Sequence, residues 1–225
     1  MPAGRTYTDS DAAHHALPPL DQLRRLPRQF YGQPVLEVAR ASVGKLLVHH
    51  RRGRTLVGRI VETEAYRGPE DLAAHSAGGR RTPRNEAMWG PPGHAYVFFV
   101  YGMHWHLNLV AGLDGEPHAV LIRGVEPLLG VELMARRRKM TADRRELTNR
   151  PGKLCGAFGI DRRHDGVDLT GGGGLYLADA PATRVVTARR VGIDYAGAWA
   201  KRRWRFLEPG NRYVSRPPEG RLRGA

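Results

Sequence analysis

Apolar residues recur at helical spacing in Val35, Leu36, Ala39, Val43 and Leu46, and Gly44 stands where a short helix would end. The period then changes. Leu46 to His50 and Leu56 to Glu64 are strand-like, on either side of the basic turn Arg51-Arg52-Gly53-Arg54. Pro69 and the run from Ser76 to Pro83 predict a long loop. Tyr96-Val97-Phe98-Phe99-Val100-Tyr101 has the aromatic and β-branched composition that strands prefer. With Gly102 and a second run from His104 to Val110, it predicts a β-hairpin that turns over Tyr101 to His104. Leu113-Asp114-Gly115 supplies another turn before a strand from Ala119 to Arg123. Pro127 at a first helical position predicts a helix through Met140, ending in Arg136-Arg137-Arg138-Lys139, whose cations suit the negative end of a helix dipole. A short helix over Gly152–Phe158, a glycine loop at Gly171–Gly174, and strands near Gly174–Leu177 and Arg184–Arg190 complete the body. No repeat or linker divides it. The expectation is one mixed α/β (α+β) domain over residues 26–215, between a disordered N-terminal extension, 1–25, and a basic flexible tail, 216–225.

Composition changes this picture in one respect. The apolar and charged fractions are ordinary for a globular protein, but 36 basic residues against 22 acidic ones give a net charge of +14. Arginine dominates, and its guanidinium suits bidentate phosphate contacts. A polyanion is therefore the expected partner, unless the charge merely aids solubility. Cys155 is the only cysteine, so no intrachain disulfide can form and a reducing compartment is expected. The first twenty residues lack the apolar core of a signal peptide. No apolar run approaches the roughly 20 residues that cross a bilayer. A cytosolic, soluble protein without membrane contact is the expectation.

The segment Arg59–Asn85 gathers carboxylates, an aromatic ring, a histidine and a basic glycine turn. Strict alternation along Arg59 to Glu64 places Ile60, Glu62 and Glu64 on one side of the strand. A carboxylate on a buried strand needs a partner, so Glu64 is either a salt-bridge member, with Arg59 or Arg123, or a general base. Tyr66, His75, Tyr96 and Phe98 could form an aromatic slot for a flat ring, or an aromatic core stripe. Tyr101 sits at a glycine hairpin beside Met103; it fits either a wedge between base steps or a simple turn residue. His104 and His106 lie two apart on one strand face without a third ligand nearby, so no metal is expected. Gly171–Gly174 lacks the lysine of a phosphate loop, and Cys155 reads as a packed helix residue. No serine-nucleophile motif appears.

Taken together, these residues resemble the alkyladenine (3-methyladenine) DNA glycosylase family, in its bacterial form. The matching segments are GRIVETEAYRGPEDLAAHS, GGRRTPRN, GPPGHAYVFFVYGMHWHLN, AVLIRGVEPLLG, RPGKLCGAFGID and RRVGIDYAGAWAKRRWRF, in order from about Leu36 to Phe206. The resemblance implies a curled, mainly antiparallel sheet with surrounding helices and a protruding β-hairpin. It implies a monofunctional enzyme, acting as a monomer without cofactor, that flips a damaged purine from double-stranded DNA and hydrolyses its N-glycosylic bond. By resemblance, Glu64 would activate the attacking water, Arg123 would help hold it, and the main-chain carbonyl of Ile193 would accept from it. Tyr66, His75 and Phe98 would wall the flipped base, and Asn108 would disfavour a guanine amino group. Tyr101, with Met103, would enter the duplex, and Arg80, Thr82 and Arg84 would contact the backbone. Phe98 departs from the tyrosine that other members can carry, and His104 and His106 depart from other versions of the hairpin. A non-catalytic damaged-DNA or RNA-binding protein is the competing reading, but it would not need a water-activating Glu64–Arg123 pair.

Overall fold

A computed structural model describes residues 17–215 of the chain. After a 3-10 turn at Leu20–Gln22 come α1 (Arg28–Tyr31) and α2 (Val35–Ser42). Val35, Val38, Ala39 and Ser42 make the buried stripe of α2. The Thr63 hydroxyl donates to the Ala39 carbonyl at 2.7 Å and ties this helix to the sheet. Of the expected N-terminal extension, residues 1–16 lie outside the described residues, as does the tail at 216–225. The remainder is engaged: Arg25 donates to the carbonyls of Leu169 and Gly173 and forms a bridge with Ala178.

Eight strands follow the order of the chain: β1 (Leu46–Arg51), β2 (Arg54–Tyr66), β3 (Ala95–Val100), β4 (His104–Ala111), β5 (His118–Leu129), β6 (Leu175–Ala178), β7 (Val186–Ala188) and β8 (Arg205–Leu207). All pairings are antiparallel, along the path β3-β4-β5-β2-β1-β6, with β8 also on β2 and β7 on β8. The sheet is not curled, contrary to expectation; β3 and β6 end the path unpaired with each other. The reason lies in β2. Opposite β5, its edge is divided between β1, over Arg54–Arg59, and β8, over Glu62–Glu64, so the sheet branches there and stays open.

One face of the sheet carries the main apolar core, where Ile60, Ala65, Leu107, Leu109, Val120 and Ile122 join the buried residues of the helices. The opposite face carries polar groups. Strict alternation fails on β2, because its pairing with β5 shifts register between Ile60 and Glu62 and again between Glu62 and Thr63. Ile60 and Val125 therefore stay in the helix-side core, while Val61 joins a separate cluster and both Glu62 and Glu64 meet Arg123. The expectation that Ile60 shares a side with the two glutamates is thereby corrected: paired bulges turned the carboxylates to one face without exposing the isoleucine.

Pro127 does not open a helix. It lies within β5, which runs to Leu129, and the helix, α3 (Val131–Arg138), starts only after Gly130. At φ +74°, with the Thr55 carbonyl 3.0 Å from where a Cβ would sit, Gly130 makes the turn that a side chain would obstruct. The basic cluster does end that helix, as expected. Helix α4 (Pro151–Phe158) packs against α3, β4 and β5. The strand expected over Arg184–Arg190 narrows to the three residues of β7, since Arg190 leaves the sheet for a buried ion pair.

Candidate active site

Glu64 is fully buried on β2. Its Oε1 accepts the Val191 N–H at 2.7 Å, and its Oε2 accepts the Tyr66 hydroxyl at 2.9 Å and Arg123 Nη1 at 3.1 Å. Burial raises its pKa above the ordinary carboxylate range, a rise opposed by Arg123, the Val191 amide and Tyr66 and assisted by neighbouring Glu62. A carboxylate raised by burial next to a cleft is a candidate general base. Of the two partners the sequence allowed, Arg123 is the one observed. Arg59 instead binds Glu126 at 2.5 Å and Glu208 at 2.8 Å.

A second carboxylate lies beside the first. Glu62 Oε1 accepts from Arg123 Nε at 3.0 Å and from Arg205 Nε at 2.7 Å, and Ser215 bonds it through both its amide and hydroxyl. Gly124 permits this arrangement, because a Cβ there would lie 2.6 Å from the Tyr213 carbonyl and displace the segment that brings in Ser215. Two buried anions are thus matched by two guanidinium groups. Leaving either carboxylate unpaired would cost several kcal/mol, on the order of 3–5.

In front of Glu64 lies a cleft of about 160 Å³, lined by Tyr66, His75, Tyr96, Phe98, Tyr101, His106, Asn108, Arg123 and Ile193, among others. Drug-sized ligand sites occupy roughly 300–1,000 Å³, so this volume suits one flat ring system. Glu64 contributes no surface to it; its three donors do, so the carboxylate sits one layer behind the wall. The rings crowd together: Phe98 lies 4.5 Å from His75, 5.2 Å from Tyr96 and 5.4 Å from His106 between ring centroids. His75 shares a 2.7 Å hydrogen bond with the Tyr96 hydroxyl. Packing of that ring, together with Arg84 and Arg80, pushes the His75 pKa down to about 4, although its edge stays open to solvent at the cleft mouth, which softens the shift. It is neutral at pH 7. Asn108 is buried, and its amide donates to the Tyr96 carbonyl at 3.1 Å. Ile193 is buried at the cleft edge, and its carbonyl already accepts the Ala196 N–H at 2.9 Å, leaving one lone pair.

Tyr101 and Met103 stand at the hairpin tip, 84% and 67% exposed. An adjoining groove of about 310 Å³ shares His75 with the cleft and carries Arg80, Thr82 and Arg84. Arg80 is open there, whereas Arg84 donates to the Phe99 carbonyl at 2.9 Å. The Thr82 amide and hydroxyl both bond Asn85 Oδ1, so its donors are turned inward. His104 lines neither the cleft nor this groove; its ring crowds Gly152 of α4. Among the described residues, no group of three metal-ligating side chains converges.

Several supports escaped the sequence reading. Arg190 and Asp71 form a fully buried bidentate pair at 2.5 and 2.9 Å. Arg190 also lies 4.8 Å from the Tyr66 ring and precedes the amide that holds Glu64, while Asp71 accepts from the Arg67 and Ala73 amides at the base of the His75 loop. Asn85 braces that loop from its other end, donating to the carbonyls of His75 and Arg80. Glu62, Arg205 and Ser215 complete the list. Two carboxylates at i and i+2 on an apolar strand signalled a need for two cations, but not which ones.

Residues 29–212 match the family of methylpurine-DNA glycosylases. The chain is 50% identical over 202 residues to a protein of Desulfitobacterium hafniense provisionally named 3-methyladenine DNA glycosylase, covering 86% of this chain and 99% of that one. It is 47% identical over 196 residues to a like-named protein of Methanocella arvoryzae, covering 87% and 98%. With the human DNA-3-methyladenine glycosylase it shares 44% identity over 210 residues, covering 88% of this chain and 70% of the human one.

Proposed function

The chain belongs to the methylpurine-DNA glycosylase family, and from that premise we infer its reaction. It is a base-excision repair enzyme, a hydrolase that releases alkylated purines from DNA by cleaving the N-glycosylic bond. In the finer reading, the target nucleotide leaves duplex DNA, its base enters the cleft between Tyr66, His75 and Phe98, and an abasic site remains. Deaminated purines enter the same cleft, and Asn108 disfavours a guanine amino group. Tyr101 fills the vacated stack with Met103 beside it, while Arg80, Thr82 and Arg84 meet the backbone. The acting unit is a monomer of about residues 26–215, working in the cytosol without a cofactor. Among the described residues no helix is long and apolar enough to cross a membrane.

Hydrolysis needs a nucleophile made from water and a stabiliser for the electron-poor sugar. Glu64 serves both ends: a water held between Arg123 and the Ile193 carbonyl reaches the carboxylate through the wall and gives up its proton to it, and the charge of Glu64 stabilises the cationic sugar from one layer behind. A purine alkylated at N3 or N7 already carries positive charge and departs as a neutral base, whereas an uncharged deaminated purine departs as an anion that takes its proton from solvent. The aromatic walls favour the alkylated cation. The observation that carries this reading is the buried Glu64 carboxylate, fixed by three donors that themselves line the cleft.

Glu64→Gln keeps the side chain's shape and removes its basicity. It should bind damaged duplexes as the parent does while single-turnover release falls about 10²–10⁴-fold, the usual worth of a general base. Release at the parental rate would move the chemistry away from Glu64.

A further inference from the structure

His106 lies on the cleft face of β4, directly opposite Phe98 on β3 and two residues from Asn108. Its ring meets the Phe98 ring at 62°, edge to face. Neither ring nitrogen bonds another of the described residues, whereas Tyr66, His75, Tyr96 and Asn108 in the same wall are bonded to protein. Burial, with Arg123, His104 and His75 nearby, pushes the pKa of His106 down to about 4, so at neutral pH it presents one N–H donor and one lone pair. The ring is part-buried and its nitrogens open on the cleft rather than on protein, so a base that fills the cleft displaces their water and must replace its hydrogen bonds or forfeit them. Across the strand pair stands Phe98, which has no hydroxyl to offer.

We propose that His106 is a specificity-determining residue that hydrogen-bonds the edge of the extruded base. The ligand class is a purine bearing a carbonyl or amine at position 6, and His106 supplies the polar contact that Phe98 cannot. This inference rests on the glycosylase reading above.

The test compares single-turnover release from two duplexes, one containing hypoxanthine and one an unsubstituted purine. The enzymes are the parent, His106→Phe and His106→Gln. Loss of one hydrogen bond to a neutral group should slow hypoxanthine release by about three- to tenfold in His106→Phe. The slowing should be clearly smaller for the unsubstituted purine, and His106→Gln, which keeps a donor and an acceptor, should recover much of it. Equal losses on both duplexes would make His106 a packing residue and overturn the inference, as would no loss on either. His106→Gln also guards against misfolding: a defect shared by both variants and both duplexes counts against the inference. A parent that releases 3-methyladenine but neither test base would sink the inference and spare the glycosylase reading. A parent that releases no base from any damaged duplex would remove both.

Discussion

At the residue scale the site depends on charges held away from water. Burial raises the Glu64 pKa, and Arg123 is the strongest influence holding it down. The basic form is the carboxylate, so release of a lesion that is already cationic should fall as pH drops through that raised pKa. In Arg123→Gln the attraction is gone, and the inflection should move to higher pH. A pH–rate profile on 7-methylguanine duplexes reads this directly, and an inflection that stays in place would separate Arg123 from Glu64. The ion pair was legible in the chain. A carboxylate and an arginine on apolar strands announce a buried pair, and of the alternatives for Glu64 the salt bridge to Arg123 is the one observed. What could not be read was long-range partnership. Asp71 and Arg190 stand 119 residues apart, and each alone looks like a loop charge.

At the scale of elements, the hairpin β3–β4 carries much of the cleft. Its cross-strand pairs Tyr96–Asn108 and Phe98–His106 face the cleft, while Val97, Leu107 and Leu109 face the core. Alternation therefore made this element readable in the sequence. The bulges of β2 and β5 were not readable, because one extra residue shifts the face of everything beyond it. At the tip, Tyr101 holds φ +52° and Gly102 φ +67°. The left-handed region costs a non-glycine residue roughly 1–2 kcal/mol. A strained tyrosine, 84% exposed, gains nothing by folding there and makes sense if its ring is used outside the fold. Two substitutions separate strain from function. Tyr101→Gly should exceed Tyr101→Ala in unfolding free energy by about 1 kcal/mol, since only glycine accepts that φ freely. Both should flip a fluorescent base poorly. Normal flipping by either variant would count against the wedge, and equal stabilities would count against the strain.

The whole molecule carries a net charge of +14, and a buried histidine pair away from the cleft should add to its acid sensitivity. His49 on β1 and His164 after α4 are both buried, their Nε2 atoms 3.3 Å apart. His164 Nδ1 accepts the Asp161 N–H, so its Nε2–H donates to His49, whose Nδ1–H in turn meets the Phe158 carbonyl. Both rings must be neutral for this chain of bonds to exist. Burial pushes His49 down to about 4 and lowers His164 too; Arg51 and Arg137 add to the effect at His49, Arg51 and Arg163 at His164, and Asp161 opposes it at His164. An unfolded histidine takes its proton near pH 6.5, about two and a half units higher than folded His49. Between those values the unfolded chain holds more protons, so stability must fall as pH falls, by up to about 1.4 kcal/mol per pH unit for each proton. Urea unfolding at pH 7, 6 and 5 should show this decline. Replacing both histidines with leucine should make the decline shallower even where the variant is weaker at pH 7, because a leucine side chain has no proton to gain. A slope unchanged by the double substitution would place the acid sensitivity in the other lowered histidines, His75 and His106, or in repulsion among the excess arginines, which the same titration strengthens as carboxylates lose their charge.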